Sequence, residues 1–353
     1  SDDTARSDDT ARSDDTARSD DTARRDDATR RFEASWAEQR DLLTEYVEAL
    51  ASAGHELLSG DAARELAAVS ASPVRTPSDA LSPLEPGATV ELGGWRLVVG
   101  DDGTVEHLDG TAAPLCSVAQ QTFDAGDYER WYSTYNGSVT PDDEWWARWD
   151  NTKPGLEHSG ARSAWWRTEL VGAWVGQDEL GAVLVVEQRI VAGAGDPVAV
   201  PSSYRTTIRA TAATSPTAGD GALELELAWW DRPAARWPGA VWWRMAPPVT
   251  DPSGWRMVKL GELVSPFDVV AGGGTRLHVV DRLVHGDGTS IELIDTGLVA
   301  PGRPRLLVWD DEPVSLDQGW HVCVHANLWG TNFPMWVEGD GRCRAVLHRT
   351  APL

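Results

Sequence analysis

Acidic clusters are the groups in this sequence best suited to acid–base chemistry. Asp150 and Glu157 flank a turn that reads Lys153-Pro-Gly. Further clusters lie at 142–144 and 310–312, and with 55 acidic residues in the chain we expect most of them to be solvated loops. Two carboxyl groups about 5 to 5.5 Å apart can hydrolyse a glycosidic bond with retention, and two groups about 6.5 to 9.5 Å apart can do so with inversion. Because a proline-glycine turn presents its neighbours to a ligand, we predict that Asp150, Lys153 and Glu157 bind substrate. No residue is predicted to be catalytic.

A second candidate region is the run from Asn327 to Trp336, which combines tryptophan, asparagine, glycine and proline. Gly330 and Pro334 interrupt regular structure, so we expect a loop or strand end that side-chain hydrogen bonds hold in place. Its tryptophans offer flat apolar surfaces to the C–H face of a sugar ring. We predict that three residues of this run bind substrate: Trp329, Asn332 and Trp336.

Tryptophan is unusually frequent, with 19 residues against 5 Tyr and 4 Phe. Consecutive side chains of a strand face opposite sides of the sheet, so one ring of a doublet faces the core and the other needs separate cover. A second sheet, a partner domain or a bound carbohydrate would supply that cover, and we favour packing for most doublets. The doublets are Trp145-Trp146, Trp165-Trp166, Trp229-Trp230 and Trp242-Trp243.

His321, Cys323 and His325 alternate, so in a strand they would share one face at a spacing that can hold zinc or another transition metal. The alternative, which we favour, is a polar strand face that is hydrogen-bonded to the neighbouring loop. The three cysteines, which include Cys116 and Cys343, are odd in number and widely spaced, and this fits neither a disulfide framework nor a zinc motif. We therefore expect no metal and no other cofactor.

The net charge of −24 argues against nucleic acid and anionic membranes as partners, because binding phosphates requires clustered Lys and Arg. A neutral carbohydrate is compatible with this charge. The longest apolar stretches are much shorter than the roughly 20 residues that span a bilayer. The N-terminus has no basic segment followed by an apolar one, so we expect a cytoplasmic protein.

The N-terminal 86 residues are expected to contribute little to the hydrophobic core. Residues 1–30 consist of four copies of Ser-Asp-Asp-Thr-Ala-Arg and a degenerate fifth, which is typical of a disordered, low-complexity tract. Residues 31–72 predict a helical segment: a helix that starts at Phe32 and stops at Gly54, then a shorter one with Asp61 as N-cap. Residues 73–86 are rich in proline and predict a linker.

Residues 87–353 are almost entirely β in character. Glycine-containing turn signals at 101–103 and 285–288 separate short runs rich in β-branched and aromatic residues. We predict a mainly β fold with two large packed antiparallel sheets, or two sandwiches fused side by side, after the short helical segment. The predicted strand runs are Trp95–Val99, Gly181–Ile190, Tyr204–Thr211, Ala222–Trp230, Leu277–Val284, Ser290–Ile294 and Trp320–His325.

Several separated runs resemble a large bacterial family of unknown function that is related to glycoside hydrolase family 38, the α-mannosidase class. The resemblance covers most of residues 30–350, and matches in the family's order are more specific than one short motif. Where the family pattern has an amide and a tyrosine, this chain has Cys323 and His325, so the resemblance does not imply a metal there. The matching runs are Ser35–Arg40, Gln121–Asp124, Asp127–Tyr132, Asp150–Leu156, Val280–Arg282 and Gly319–Trp336.

The resemblance implies the C-terminal half of a family 38 enzyme, in which a remnant of a helical bundle precedes a β-sandwich related to galactose mutarotase. In the related mannosidases an N-terminal α/β domain carries the zinc ligands and the aspartate nucleophile, and no region of this sequence has that alternating pattern. We therefore expect the chain to shape a carbohydrate cleft without hydrolysing glycosides alone. A separate or missing α/β catalytic domain would be its partner. A stand-alone carbohydrate-binding module and a protein-interaction scaffold are the alternatives.

Overall fold

The chain forms two compact units, Ser1–Ser72 and Pro73–Leu353. The computed structural model describes residues 42–69, 73, 80–108, 114–211, 221–270, 273–329 and 338–349. The low-complexity tract predicted at 1–30 and the predicted helix start at Phe32 lie outside these residues. Within the described part of the chain, no helix combines the length and the apolar character needed to cross a bilayer.

The described part of the first unit consists of two helices. Helix α1 covers residues 42–52 and α2 covers Glu56–Val69. Gly54 has a φ of 83° and follows the end of α1, which confirms the predicted stop, because glycine adopts this conformation without steric cost. The prediction that Asp61 caps the second helix was wrong. Asp61 lies inside α2, whose first turn already carries an acidic residue, Glu56.

The second unit is a sandwich of two antiparallel sheets, which confirms the predicted mainly β fold. The described strands form one pair of sheets and not two fused sandwiches. The ten-stranded sheet has the order β1 (Ser82–Pro83), β7 (Thr168–Asp178), β8 (Gly181–Ile190), β9 (Ser203–Ala210), β10 (Leu223–Arg232), β19 (Gly339–Arg349), β16 (Thr289–Leu293), β15 (Arg282–His285), β12 (Trp255–Lys259) and β13 (Glu262–Val264).

The nine-stranded sheet has the order β14 (His278–Val279), β17 (Leu298–Pro301), β18 (Trp320–Ala326), β11 (Gly239–Met245), β5 (Pro114–Thr122), β4 (Val105–His107), β3 (Trp95–Val99) and β2 (Thr89–Leu92), and β6 (Ala164–Trp166) also pairs with β5. The connection between β5 and β6 contains helix α3 (Ala125–Tyr135), helix α4 (Glu144–Asn151) and a short 3-10 helix (Leu156–His158). A second 3-10 helix, Pro252–Gly254, precedes β12.

The main core lies between the facing sides of the two sheets. Leu97 and Val322 of the nine-stranded sheet and Leu184 and Leu227 of the ten-stranded sheet are fully buried in it. Burying such a side chain stabilises the fold by about 1.5 to 3 kcal/mol relative to leaving it in water. Alternation along the strands therefore sets which residues face the core, as in β2, where exposed and buried residues alternate.

The doublet in β11 shows how the second ring of a tryptophan pair is covered. Trp243 belongs to the core between the sheets, whereas Trp242 belongs to a second apolar cluster. Both rings are 0% exposed. The second cluster includes Tyr128 and Trp131 of α3 and Leu156 of the 3-10 helix. The chain's own connection between β5 and β6 thus provides the cover that the sequence alone left open.

Several predicted strands and turns are confirmed. Strands β3 and β8 have the bounds predicted for Trp95–Val99 and Gly181–Ile190. Gly103 and Gly288, with φ of 78° and 89°, lie in the predicted turns. The run predicted at Leu277–Val284 is instead two strands in different sheets. Residue 280 still bonds to Gly297, next to the partner of the first strand, whereas residue 281 bonds to Val258 of the ten-stranded sheet.

Two other segments differ from simple expectation. The segment predicted as a linker, residues 73–86, contains strand β1, in which Ser82 pairs with Val175. The doublet Trp145-Trp146 lies in α4 and not in a strand. The alternation of side chains between the two faces of a strand therefore does not apply to this doublet. In a helix, two consecutive side chains point in directions about 100° apart around the axis.

Candidate functional site

Two sets of hydrogen bonds hold the N-terminal part of helix α3 in place. A capping box closes its N-terminus, since the backbone N–H of Asp127 donates to Asp124 Oδ1 and that of Asp124 donates to Asp127 Oδ2, each at 3.0 Å. The Tyr128 hydroxyl then donates to the carbonyl of Leu328, which follows β18. These contacts hold α3 against the chain segment that leaves the nine-stranded sheet.

Arg148 holds α4 against α3. Its guanidinium donates to Glu129 at 2.8 Å and to Glu144 at 2.9 Å. It also lies 4.6 Å from the centre of the Tyr132 ring, within the range of a cation–π contact. The hydrogen bond from Arg148 lowers the pKa of Glu129. Only Ala147 of α4 is buried, so the helix leaves three tryptophans exposed: Trp145, Trp146 and Trp149.

Two adjoining clefts open beside α4. The larger one, the tryptophan cleft, has a volume of about 650 Å³ and lies between residues 153–159 and 234–237. The smaller one, the helix cleft, has a volume of about 370 Å³ and lies between the same turn and helices α3 and α4. Both volumes fall in the range of small-ligand sites, about 300 to 1,000 Å³. Side chains of the tryptophan cleft include Trp149, Lys153, Leu156, Ser159, Arg236 and Trp237.

Asn327 fixes one wall of the tryptophan cleft. Its buried side-chain amide donates to the carbonyl of Ala235 at 3.1 Å and to that of Trp237 at 3.0 Å. Its Oδ1 accepts the backbone N–H of Gly239 at 2.8 Å. The Trp237 indole N–H donates to the carbonyl of Ser159 at 3.1 Å and so connects this wall to the opposite turn. The cleft is therefore braced by hydrogen bonds across its width.

Lys153 lies at the junction of the two clefts. Its ammonium donates to the carbonyl of Asn327 and, at 3.3 Å, to that of Arg236. Burial lowers the pKa of Lys153 from 10.5 to about 8, and repulsion from Arg236 makes a smaller contribution in the same direction. Burial also lowers the pKa of the neighbouring His325 to about 3, with smaller contributions from Arg232 and Lys153, so this histidine is neutral near pH 7.

The predicted substrate-binding residues of the proline-glycine turn occupy different places. Lys153 lines both clefts, and Glu157 lines the helix cleft. Asp150 is exposed in the last turn of α4 and is not among the described residues that line either cleft. The structure therefore brings two of the three together at the junction of the clefts.

The second predicted group lies at the edge of the described chain. Trp329 is partly exposed and packs edge-on to Trp131, with 5.5 Å between the ring centroids. Asn332 and Trp336 lie outside the described residues. Sequence reasoning missed Trp149 and Trp237 as cleft residues. The spacing of Trp145 and Trp149, one helical turn apart, is the signal that could have identified the first of these.

The alternation of His321, Cys323 and His325 is interrupted in the structure. On β11, Val241 pairs with His325 and Trp242 pairs with Cys323, so β18 contains a bulge between them. Across the part of the chain that the structure describes, no three His, Cys, Asp or Glu side chains are grouped so as to hold a metal ion. Burial lowers the pKa of His321 to about 3 and raises that of Cys323 to about 12.

We expect Lys153 to lose its proton near pH 8, and carbon-13 lysine NMR measures this directly because Lys153 and Lys259 are the two lysines of the sequence. The folded-state pKa lies below that of an unfolded lysine, so the unfolded chain binds more protons between pH 8 and 10.5. This lysine's contribution to stability therefore increases as the pH rises through that range. The Lys153→Arg variant lacks the signal of Lys153, so the signal that remains is that of Lys259. A midpoint that stays near 10.5 would contradict the burial of this ammonium.

The chain was compared with models of known protein families. A family model described as Domain of unknown function (DUF5054) matches residues 7–209, which include α3, α4 and the turn that lines both clefts. No curated protein matches the chain significantly. The prediction of a family of unknown function is thus confirmed. Because the match covers more than half of the 353 residues, the chain belongs to the DUF5054 family.

Proposed function

We propose that the chain is the β-sandwich portion of a glycoside hydrolase family 38-like protein, in which the tryptophan cleft binds a carbohydrate and a separate α/β domain hydrolyses it. The observation that carries the proposal is the cleft itself. It combines two tryptophans, Trp149 and Trp237, with the polar groups of Lys153 and Ser159. The resemblance of the separated sequence runs to the α-mannosidase class supports the choice of ligand.

The arrangement suits a sugar because a pyranose has both an apolar C–H face and a rim of hydroxyl groups. Trp149 is 58% exposed, so much of its ring surface is available for stacking. Lys153 and the backbone groups of the braced turn supply hydrogen bonds at the edge of the ring plane. A cleft that is already braced also loses little conformational entropy on binding.

A stand-alone carbohydrate-binding module is the second candidate, and the charge of the lining favours binding over hydrolysis in this cleft. The described residues that line the tryptophan cleft include no acidic side chain. Hydrolysis by the usual mechanism requires two carboxyl groups that flank the scissile bond. Both candidates therefore assign a binding role to these residues, and they differ in whether a separate domain acts on the bound sugar.

We expect Trp149→Ala to weaken carbohydrate binding by about tenfold or more, because the variant removes the exposed stacking surface. Isothermal titration calorimetry of the full chain with α-linked manno-oligosaccharides and matched glucose and galactose oligomers measures this. Calorimetry is preferable to fluorescence, since the signal of one ring is diluted among 19 tryptophans.

Trp146→Ala is the matched control. Trp146 lies on the same helix, is 44% exposed and lines neither cleft. Its replacement should leave the affinity unchanged. Absence of binding to every oligosaccharide, or an equal loss in both variants, would refute the assignment of the cleft. If the first candidate is right, mixing the chain with the α/β domain of a related protein should produce hydrolysis of the bound sugar. If the second candidate is right, it should not.

A further inference from the structure

The tryptophan cleft has a local charge opposite to that of the whole chain. The net charge of the sequence is −24, yet among the described residues the charged side chains that line this cleft are Lys153 and Arg236. In the adjoining helix cleft the same lysine is joined by Arg148, Glu129 and Glu157, so the charges there balance. A positively charged cleft in a strongly acidic protein attracts anions to that part of the surface.

We propose that the tryptophan cleft selects anionic sugars, in which a carboxylate, phosphate or sulfate group on the ring lies against Arg236 and Lys153. This inference rests on the proposed carbohydrate function and specifies its ligand class. Trp149 and Trp237 would contact the ring, as they would for a neutral sugar. The two cations would then discriminate between acidic and neutral sugars of the same shape.

The geometry of Lys153 leaves a donor for such a ligand. An ammonium group has three N–H donors. The carbonyls of Asn327 and Arg236 accept two of them and anchor the group at the wall of the cleft. The third donor is thus available on a side chain that lines the cavity. Arg236 is exposed, and a guanidinium binds a carboxylate or phosphate through two parallel hydrogen bonds.

Matched sugar pairs test the proposal with the full chain. We would compare methyl glycosides of glucose, mannose and galactose with the methyl glycosides of the corresponding uronic acids, which carry a carboxylate in place of the hydroxymethyl group. Phosphorylated and sulfated methyl glucosides would distinguish the type of anion. We expect the acidic member of at least one pair to bind about tenfold or more tightly, because charge-assisted hydrogen bonds are the stronger ones. Higher ionic strength should reduce this ratio.

Two arginine-to-glutamine variants, each of which removes one positive charge, show which cleft is responsible for the preference for acidic sugars. Arg236→Gln should abolish most of the preference for the acidic sugar. Arg303→Gln should not, since Arg303 is exposed and lines a different cleft beside Arg276 and Arg305. In NMR, a bound acidic sugar should raise the pKa of Lys153 above 8, while a neutral sugar should raise it less. The charged side chain that acts on Lys153 is Arg236, and the neighbouring His325 is neutral.

The outcomes separate the two proposals. Equal binding of acidic and neutral sugars, with both lost in Trp149→Ala, would overturn the anionic preference and leave the carbohydrate function intact. A preference for acidic sugars that survives Arg236→Gln would overturn the role of this cleft's cations. If no sugar of either kind binds, both proposals are overturned.

Discussion

Replacing Trp243 with alanine is expected to lower the free energy of unfolding by about 3 to 5 kcal/mol. The ring is 0% exposed and lies between the two sheets, so its removal leaves a large cavity that neighbouring strands cannot fill. Native domains are stable by only about 5 to 15 kcal/mol, so this change removes a large share of the total. Urea denaturation followed by circular dichroism measures the difference.

Comparison variants separate cavity formation from the loss of any tryptophan. Trp165→Ala should cost less, about 1 kcal/mol, because that ring, in the middle of β6, is 37% exposed. Trp242→Phe should cost about 1 kcal/mol more than Trp243→Phe. The Trp242 indole donates to Gln121 Oε1 at 3.2 Å, whereas no described residue accepts from the indole of Trp243. Similar losses for Trp243→Ala and Trp165→Ala would contradict the buried position of Trp243.

Asn327→Ala should lower the free energy of unfolding by about 2 to 4 kcal/mol and also weaken carbohydrate binding. The variant leaves the buried N–H of Gly239 and the partly buried carbonyls of Ala235 and Trp237 without this partner. The segment 234–237 would then move relative to the turn at Ser159, and the tryptophan cleft would lose its shape. Denaturation and calorimetry on the same preparation measure the two effects.

Asn151→Ala is the control for this second prediction. The Asn151 side chain makes one hydrogen bond, to the carbonyl of Ala147 at 2.9 Å within α4, and it lines neither cleft. Its removal should cost about 1 kcal/mol or less and leave sugar affinity unchanged. The bracing role of Asn327 would be wrong if the two variants were equally stable, or if Asn327→Ala lost stability but bound sugar as tightly as the wild type.

Local pattern in the sequence was sufficient for several of the strands. The alternation in Trp95–Val99 and the β-branched run of Gly181–Ile190 predicted β3 and β8 because the period of side chains along a strand is two. Gly103 and Gly288 marked their turns because glycine adopts a positive φ without steric cost. The same logic did not identify α3 and α4, because both are short and rich in aromatic residues, which are also typical of strands.

The sequence by itself determined the class of fold, the excess of tryptophan and the run that begins at Asn327, since these depend on composition and on neighbours along the chain. Only the tertiary structure decided which groups form a cleft. Lys153 and Asn327 are 174 residues apart in sequence, yet the ammonium of one donates to the carbonyl of the other. Trp149 and Trp237 likewise line the same cleft from different parts of the chain. No local pattern encodes such pairs, because long-range packing of the sheets and of the β5–β6 connection brings them together.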